Sequence, residues 1–225
     1  MKTEKFSIWF VLCVTVFVTS LITANVISIK LIQMGGLVFT AGVVIFPISY
    51  IFGDVLTEVY GYRRARLVIW LGFVCNLLAV AAIWLAQILP AASFWQGQDA
   101  FVQILGYTPR LLLASFLAYL LGEFANSFVL ARLKIATAGK WLWLRTIGST
   151  LVGEGLDSIV FISIAFAGTI PTAGLLTAII TQWLIKSTYE AAATPLTYLV
   201  VNFLKRTESL DTFDRTTDFN PLKMS

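Results

Sequence analysis

The chain has no histidine, two cysteines and little charge, with 12% of its 225 residues being Asp, Glu, Lys or Arg. The missing histidine excludes Ser-His-Asp and Cys-His catalysis, His-ligated zinc and histidine proton relays. Cys13 and Cys75 both lie inside apolar runs, where they read as small packing hydrophobes and say nothing about redox compartment. No G-x-x-x-x-G-K-[ST] loop occurs, so the chain by itself has no phosphate cradle with which to use ATP. Ser/Gly/Pro-rich linkers are absent too, and the length suits one domain.

What is there is apolar. Hydrophobic residues make up 58% of the chain and the mean hydropathy is +0.85, against roughly 45 to 50% apolar and about 25% charged in a soluble domain. A bilayer core about 30 Å thick is crossed by roughly 20 apolar residues in a helix. Six stretches meet that length: about 6–29, 37–60, 67–89, 110–131, 146–168 and 173–204. Lys2 and Lys5 precede the first, but its apolar run is too long for a signal peptide and no small-x-small cleavage site follows. The last is longer than one span requires and contains Pro195, which predicts tilt, a kink or an extension beyond the membrane.

Placement of Lys and Arg sets the orientation. With the N-terminus cytoplasmic, thirteen of the sixteen basic residues fall in inner segments, among them Arg63, Arg64, Arg66, Arg132, Lys134, Arg145 and Lys205, and two, Lys30 and Arg110, fall outside. The expected fold is therefore all-α: six transmembrane helices over residues 1–206, both termini cytoplasmic, and a polar cytoplasmic tail at 207–225, solvated and without a fixed fold. The formal charge of +4 follows from these basic clusters, so no nucleic-acid partner is implied. The outer segment "PAASFWQGQDAFVQILGYTPR" offers Phe94, Trp95 and Tyr107 as an interfacial aromatic belt.

Six acids lie inside the expected spans: Asp54, Glu58, Glu123, Glu154, Asp157 and Glu190, against one cation, Lys186. A charge at the bilayer centre costs about 2.5 to 3.5 kcal/mol on insertion scales, so this set must face protein, water or a ligand. Residues three or four apart share a helix face. That spacing joins Asp54 to Glu58, Glu123 to Asn126 and Ser127, Glu154 to Asp157 and Ser158, and Lys186 to Glu190. By depth, Glu123, Glu154, Asp157, Lys186 and Glu190 belong to one central cavity, while Asp54 and Glu58 lie near the cytoplasmic face. A plain structural role stands beside each: Lys186 with Glu190 as an ion pair that lets its helix insert, and Asp54 or Glu58 as anchors for Arg63 and Arg64.

A glycine precedes the first acid in "GDVLTE" (53–58), "GEFANS" (122–127) and "GEGLDS" (153–158). Such glycines serve close helix packing beside the polar group as readily as a ligand-lining role. The first and third motifs correspond if the chain is an inverted repeat of three helices, an arrangement that gathers substrate sites near the midplane. Convergence of one polar device on several helices explains the three motifs equally well.

The stretches "ANVISIKL" (24–31), "FPISYIFGDVLTEVYGYRRAR" (46–66), "GEFANSFVLARLK" (122–134), "RTIGSTLVGEGLDSIVFISIAF" (145–166) and "KSTYEAAATPLTYLVVNFLKR" (186–206) resemble the queuosine precursor transporter family, also called the vitamin-uptake-transporter-like family. The most specific run is P-x-S-Y-x-x-x-D-x-x-x-E-V-Y-G at Pro47–Gly61. The resemblance implies a six-helix bacterial inner-membrane carrier that imports deazaguanine precursors of queuosine, the cyano and aminomethyl forms, for tRNA modification, with no cofactor. A guanine-like edge presents N–H and NH₂ side by side, which one carboxylate accepts as a pair. Glu123, Glu154 and Asp157 are the carboxylate candidates, with Lys186 and Glu190 in the same substrate site and Asn126 for the ring carbonyl. Tyr50, Tyr189 and Phe128 are the stacking candidates, and Asn25, Ser28 and Lys30 form the outer mouth. Asp54 and Glu58 fall to gating or proton coupling.

Three other readings stay open beside the solitary secondary carrier. One is the substrate-binding subunit of an energy-coupling-factor system, which needs a partner ATPase. A second is an intramembrane di-acid enzyme using Asp54 with Asp157, for which no G-x-G-D signature is present. The third is a structural or assembly role, which leaves six buried acids without a purpose. Expected partners are the small-molecule base and the lipid bilayer, with homo-oligomerisation left open.

Overall fold

The computed structural model describes residues 7–34, 37–106, 109–169 and 171–223. Lys2, Lys5 and Tyr107, named above for topology and the aromatic belt, lie outside the described residues. Among those described, seven α-helices occur: α1 (Ile8–Ile27), α2 (Phe46–Tyr60), α3 (Tyr62–Ile88), α4 (Gln98–Leu105), α5 (Pro109–Ala136), α6 (Leu142–Phe166) and α7 (Thr172–Glu208). Two short antiparallel strands, β1 (Leu31–Met34) and β2 (Leu37–Thr40), pair between α1 and α2, with Ile32 opposite Phe39.

Six of the seven helices correspond to the six apolar stretches, with one change of substance. The stretch 37–60 is not a single helix. Strand β2 and a 3₁₀ turn over Ala41–Val44 take its first part, and α2 begins only at Phe46 with Pro47 in its first turn. Proline lacks a backbone donor and pre-sets φ, so it is tolerated at a helix start and not within one. The remaining 15 residues span about 22 Å at 1.5 Å per residue. Helix α7 runs unbroken for 37 residues through Pro195 to Glu208. The short α4 lies between α3 and α5, beside the exposed Phe94 and Trp95.

Four segments are long and apolar enough to cross a membrane: Ile8–Ile27, Tyr62–Ile88, Gln98–Ala136 and Leu142–Phe166. Helix α2, at 15 residues, is too short to be among them, and α7 is too polar, with Lys186 and Glu190 set among Thr, Gln and Ser. Burial explains how α2 tolerates Asp54 and Glu58. Helix α2 packs against α1, α3, α5 and α7, and all of its residues from Ser49 to Tyr60 except Phe52 are buried.

The interior and surface are inverted relative to a soluble bundle. Leu78 and Trp84 of α3, Leu113 of α5, Ile159 of α6 and Leu199 of α7 point outward, while Asp54, Glu58, Glu123, Arg145, Glu154 and Glu190 are buried. An outer face of that kind suits lipid, and the polar groups are left to satisfy one another inside. Helices α5 and α6 form the most extensive pair, followed by α6 with α7. Their approach is closest at two of the motif glycines: a Cβ on Gly153 would stand 2.9 Å from the Gly122 carbonyl oxygen and 2.7 Å from the Asn126 Cβ.

The tail is not the loose segment its composition suggests. Asp214 is buried and accepts a hydrogen bond from the Tyr62 backbone N–H at 2.9 Å, satisfying a free donor in the first turn of α3. Arg66 donates to the carbonyls of Asp218 and Asn220 at 2.9 and 2.6 Å, and the Trp70 indole to that of Pro221 at 2.8 Å. Phe219 packs between Tyr62 and Phe128, tilted against the first and edge-to-face with the second, with ring centroids 4.9 and 5.2 Å away. Polar composition leaves an unpaired chain disordered, but here buried arginine and aromatic partners on α3 and α5 hold the backbone.

Candidate functional site

Two tiers of charge occupy the bundle interior. In the upper one, the Lys186 ammonium of α7 lies 2.5 Å from Asp157 Oδ2 and 3.0 Å from Glu154 Oε2, both on α6. It also sits 4.2 Å from the centroid of the Phe46 ring, a cation–π contact. Phe46 in turn leans on Tyr50, one turn along α2, at 5.1 Å between centroids. Tyr50 is buried, and its hydroxyl stands among Glu154, Asp157, Glu123 and Glu190. Lys186 and Asp157 keep 17% and 11% of their side-chain surface exposed, against 3% for Glu154, which makes them the mouth of the group.

Deeper in the same tier, Asn126 of α5 donates to Asp54 Oδ1 of α2 at 2.7 Å. A Cβ on Gly53 would meet Glu123 Oε2 at 3.3 Å, and one on Gly122 would meet the Asp157 Cβ at 3.0 Å and the Tyr50 hydroxyl at 3.3 Å. The three glycine-acid motifs of α2, α5 and α6 therefore converge on one place. The small residues bring the backbones close enough for carboxylates from different helices to face each other.

The lower tier centres on Glu58. Arg145 of α6 binds it through Nε and Nη2 at 2.7 and 2.8 Å, and Lys205 of α7 reaches Oε1 at 2.6 Å. Lys134 of α5 donates to the Glu58 carbonyl at 2.5 Å and to Asp211 of the tail at 2.6 Å, and Lys205 pairs with Asp211 at 2.8 Å. Partial burial pushes the Asp211 carboxyl up, but the hydrogen bonds and charges of Lys134 and Lys205 outweigh it and hold the group below the usual carboxylate range. Four helices are thus tied together at one end of the bundle through the buried Glu58 carboxylate, and Lys134 and Lys205 extend the network to Asp211 of the tail.

The family model described as "Putative vitamin uptake transporter" matches residues 40–200, which include α2 to α6 and every residue of the upper tier. The chain belongs to this vitamin uptake transporter family. A Bacillus subtilis (strain 168) protein named "Probable queuosine precursor transporter" is 30% identical over 188 residues, 83% of this chain and 82% of that protein. An Escherichia coli (strain K12) protein named "Queuosine precursor transporter" is 31% identical over 127 residues, 56% of this chain and 55% of its own. No solved structure gives a significant match. The family resemblance read from the sequence is borne out, and the family is one of transporters rather than enzymes. With its several apolar helices, this member of the vitamin uptake transporter family is a multi-pass membrane protein.

The structure of this transporter groups the sequence candidates differently from their spacing. Glu123, Asn126, Glu154, Asp157, Lys186, Glu190 and Tyr50 all lie in or beside the upper tier. Asp54 and Glu58, one turn apart, part company: Asp54 joins the upper acids through Asn126, while Glu58 is taken up by Arg145, Lys134 and Lys205 rather than by Arg63 and Arg64. Lys186 pairs with Glu154 and Asp157 rather than with Glu190.

Four aromatic and polar candidates sit elsewhere. Tyr189 is exposed on the outside of α7. Phe128 is also exposed, and its ring contacts Phe219 and Arg132, so it anchors the tail. Asn25 donates to Asn76 Oδ1 of α3 at 3.1 Å, and Ser28 back-bonds to the Ala24 carbonyl at 2.6 Å.

Phe46, Arg145 and Asp211 were not singled out by the sequence. Phe46 carries a signal, standing one turn before Tyr50 at the head of the P-x-S-Y run. Arg145 and Asp211 carry none, because a basic residue between spans and an acid in a polar tail are ordinary features of any topology.

Proposed function

We propose that this transporter imports deazaguanine precursors of queuosine for tRNA modification, across the bacterial inner membrane, as a secondary carrier. The carrying observation is the Glu154–Lys186–Asp157 trio set against the Phe46–Tyr50 pair, inside a bundle whose outer face is apolar. A flat base with adjacent N–H and NH₂ donors fits a carboxylate, and its ring fits an aromatic face. The names of the Bacillus subtilis and Escherichia coli relatives point to the same substrate class.

In this reading Glu154 and Asp157 accept the donor edge of the base once Lys186 gives way, and Phe46 with Tyr50 receives the ring. Lys186 keeps the two acids neutralised while no base is bound. Glu123 and Asn126 lie behind them and complete the polar wall. The helices α1, α2, α3, α5, α6 and α7 are the six spans, α2 crossing together with the 3₁₀ turn that precedes it. The end holding Glu58, Lys134, Arg145, Lys205 and the tail is the cytoplasmic end, where its basic residues satisfy the positive-inside rule. The Glu58 cluster and the docked tail close that end as an inner gate.

The test is uptake of labelled precursor by cells carrying Asp157→Asn or Glu154→Gln. Both variants should insert in the membrane normally and lose uptake. Normal uptake by both would reject the site.

A further inference from the structure

Five carboxylates share the upper tier with one cation, and Lys186 answers only Glu154 and Asp157. Among the described residues no Lys or Arg lies within 4 Å of Asp54, Glu123 or Glu190, and Asp54 Oδ2, Glu123 Oε2 and Asn126 Oδ1 are buried acceptors that receive no hydrogen bond. Asn126 has already spent an amide hydrogen on Asp54 Oδ1. The groups facing these acids make matters worse. The electrostatic neighbours of Asp54 are Glu58, Glu123 and Glu190, with Asn126 hydrogen-bonded to it, and those of Glu123 are Asp54, Glu154, Asp157, Tyr50 and Tyr119, with Lys186 the one cation that the described residues place among these neighbours. Glu190 is buried on α7, with Asp54, Glu154, Glu123 and Tyr50 as its electrostatic neighbours.

We propose that Asp54, Glu123, Glu190 and Asn126 form a proton-carrying site, distinct from the Lys186 trio and from the Glu58 cluster, whose protons drive import. This rests on the carrier reading above. A proton on a carboxyl both removes the unpaired charge and supplies the donor that a neighbouring buried acceptor lacks. Among the described residues no group of three or more His, Cys, Asp or Glu is placed to hold a metal ion there instead. Glu58 is excluded from the site because three cations already hold its charge. The site joins α2, α5 and α7, and Glu154 and Asp157 of the substrate trio border it. Displacement of Lys186 by substrate therefore changes the field on the same acids, which couples protonation to substrate binding. Protons enter with the substrate from the outer side and leave to the cytoplasm as the upper tier opens inward.

Two measurements decide it. Infrared spectra of the purified protein in lipid at pH 7 should show the carbonyl bands of protonated carboxyl groups, shifting in D₂O, and Asp54→Asn and Glu190→Gln should each remove one. In proteoliposomes an inward gradient of one pH unit should raise precursor accumulation about tenfold per coupled proton, and this gain should fall to none in Asp54→Asn and Glu190→Gln. Absence of protonated carboxyl bands in the unaltered protein, or a gradient gain that survives both substitutions, would overturn the proposal. If the unaltered protein takes up no precursor, the substrate reading fails while the infrared result still decides the proton site.

Discussion

Arg145 of α6 holds both carboxylate oxygens of Glu58 of α2, at 2.7 and 2.8 Å, with both side chains buried. A fork of this kind fixes the angle between two helices as well as their separation. Removing one partner leaves a buried charge uncompensated, at a cost of about 3 to 5 kcal/mol. Glu58→Gln should therefore lower the unfolding temperature of the detergent-solubilised protein sharply, because Lys134 and Lys205 lose their partner as well. The double variant Glu58→Met/Arg145→Met should lose less than the sum of the two single changes. An unchanged melting profile in Glu58→Gln would show that the cluster does not hold the bundle.

The aromatic pair gives a separate readout. Stacking of a base on an aromatic ring contributes about 1 to 3 kcal/mol, so Phe46→Leu should raise the KM for precursor roughly 5- to 150-fold while leaving the amount of protein in the membrane unchanged. Phe128→Leu and Tyr189→Leu, which alter rings outside the site, should leave KM where it was. A larger effect from Tyr189→Leu than from Phe46→Leu would show that the stacking face has been placed on the wrong side of α7.

Close packing of α5 on α6 is tested at its glycines. A methyl group at Gly153 meets the Asn126 Cβ at 2.7 Å and the Gly122 carbonyl at 2.9 Å, whereas one at Gly155 meets only Trp183 at 3.5 Å. Overpacking a tight contact costs about 1 to 3 kcal/mol. Gly153→Ala should lower thermal stability and disturb uptake together, and Gly155→Ala should be close to neutral in both assays.

The docked tail has its own pH signature. Lys134 and Lys205 hold the Asp211 carboxyl below the ordinary range. A group with a depressed folded pKa contributes stability that is present above its unfolded value and lost as pH falls through the folded one. Limited proteolysis at the exposed Arg215 should therefore stay slow from neutral pH down into the usual carboxylate range and quicken only below it. Asp211→Asn should quicken cleavage already at neutral pH.

Some of this arrangement was readable in the chain and some was not. The glycine-acid motifs and their helical spacing announced the upper tier, because burying a charge in lipid is costly enough that few patterns other than a shared interior permit it. Spacing could not separate Asp54 from Glu58. One helical turn is about 5 Å, and that distance carries α2 from carboxylates on one level to arginine and lysine on the next. The start of α2 was hidden because residues 37–45 are as apolar as the helix that follows, leaving Pro47 as the one local mark. The docking of the tail was hidden because several of its anchors are backbone carbonyls, taken up by Tyr62, Arg66 and Trp70, and a carbonyl has no sequence signature. The exposed positions of Tyr189 and Phe128 were hidden for a similar reason: ring chemistry does not say which side of a helix faces inward.

The most direct measurement is competition for uptake of labelled deazaguanine precursor by proteoliposomes containing this chain alone. Unlabelled precursor and guanine share the donor edge that Glu154 and Asp157 accept, so both should compete, and adenine should not. Competition by adenine without competition by guanine would contradict recognition of that edge.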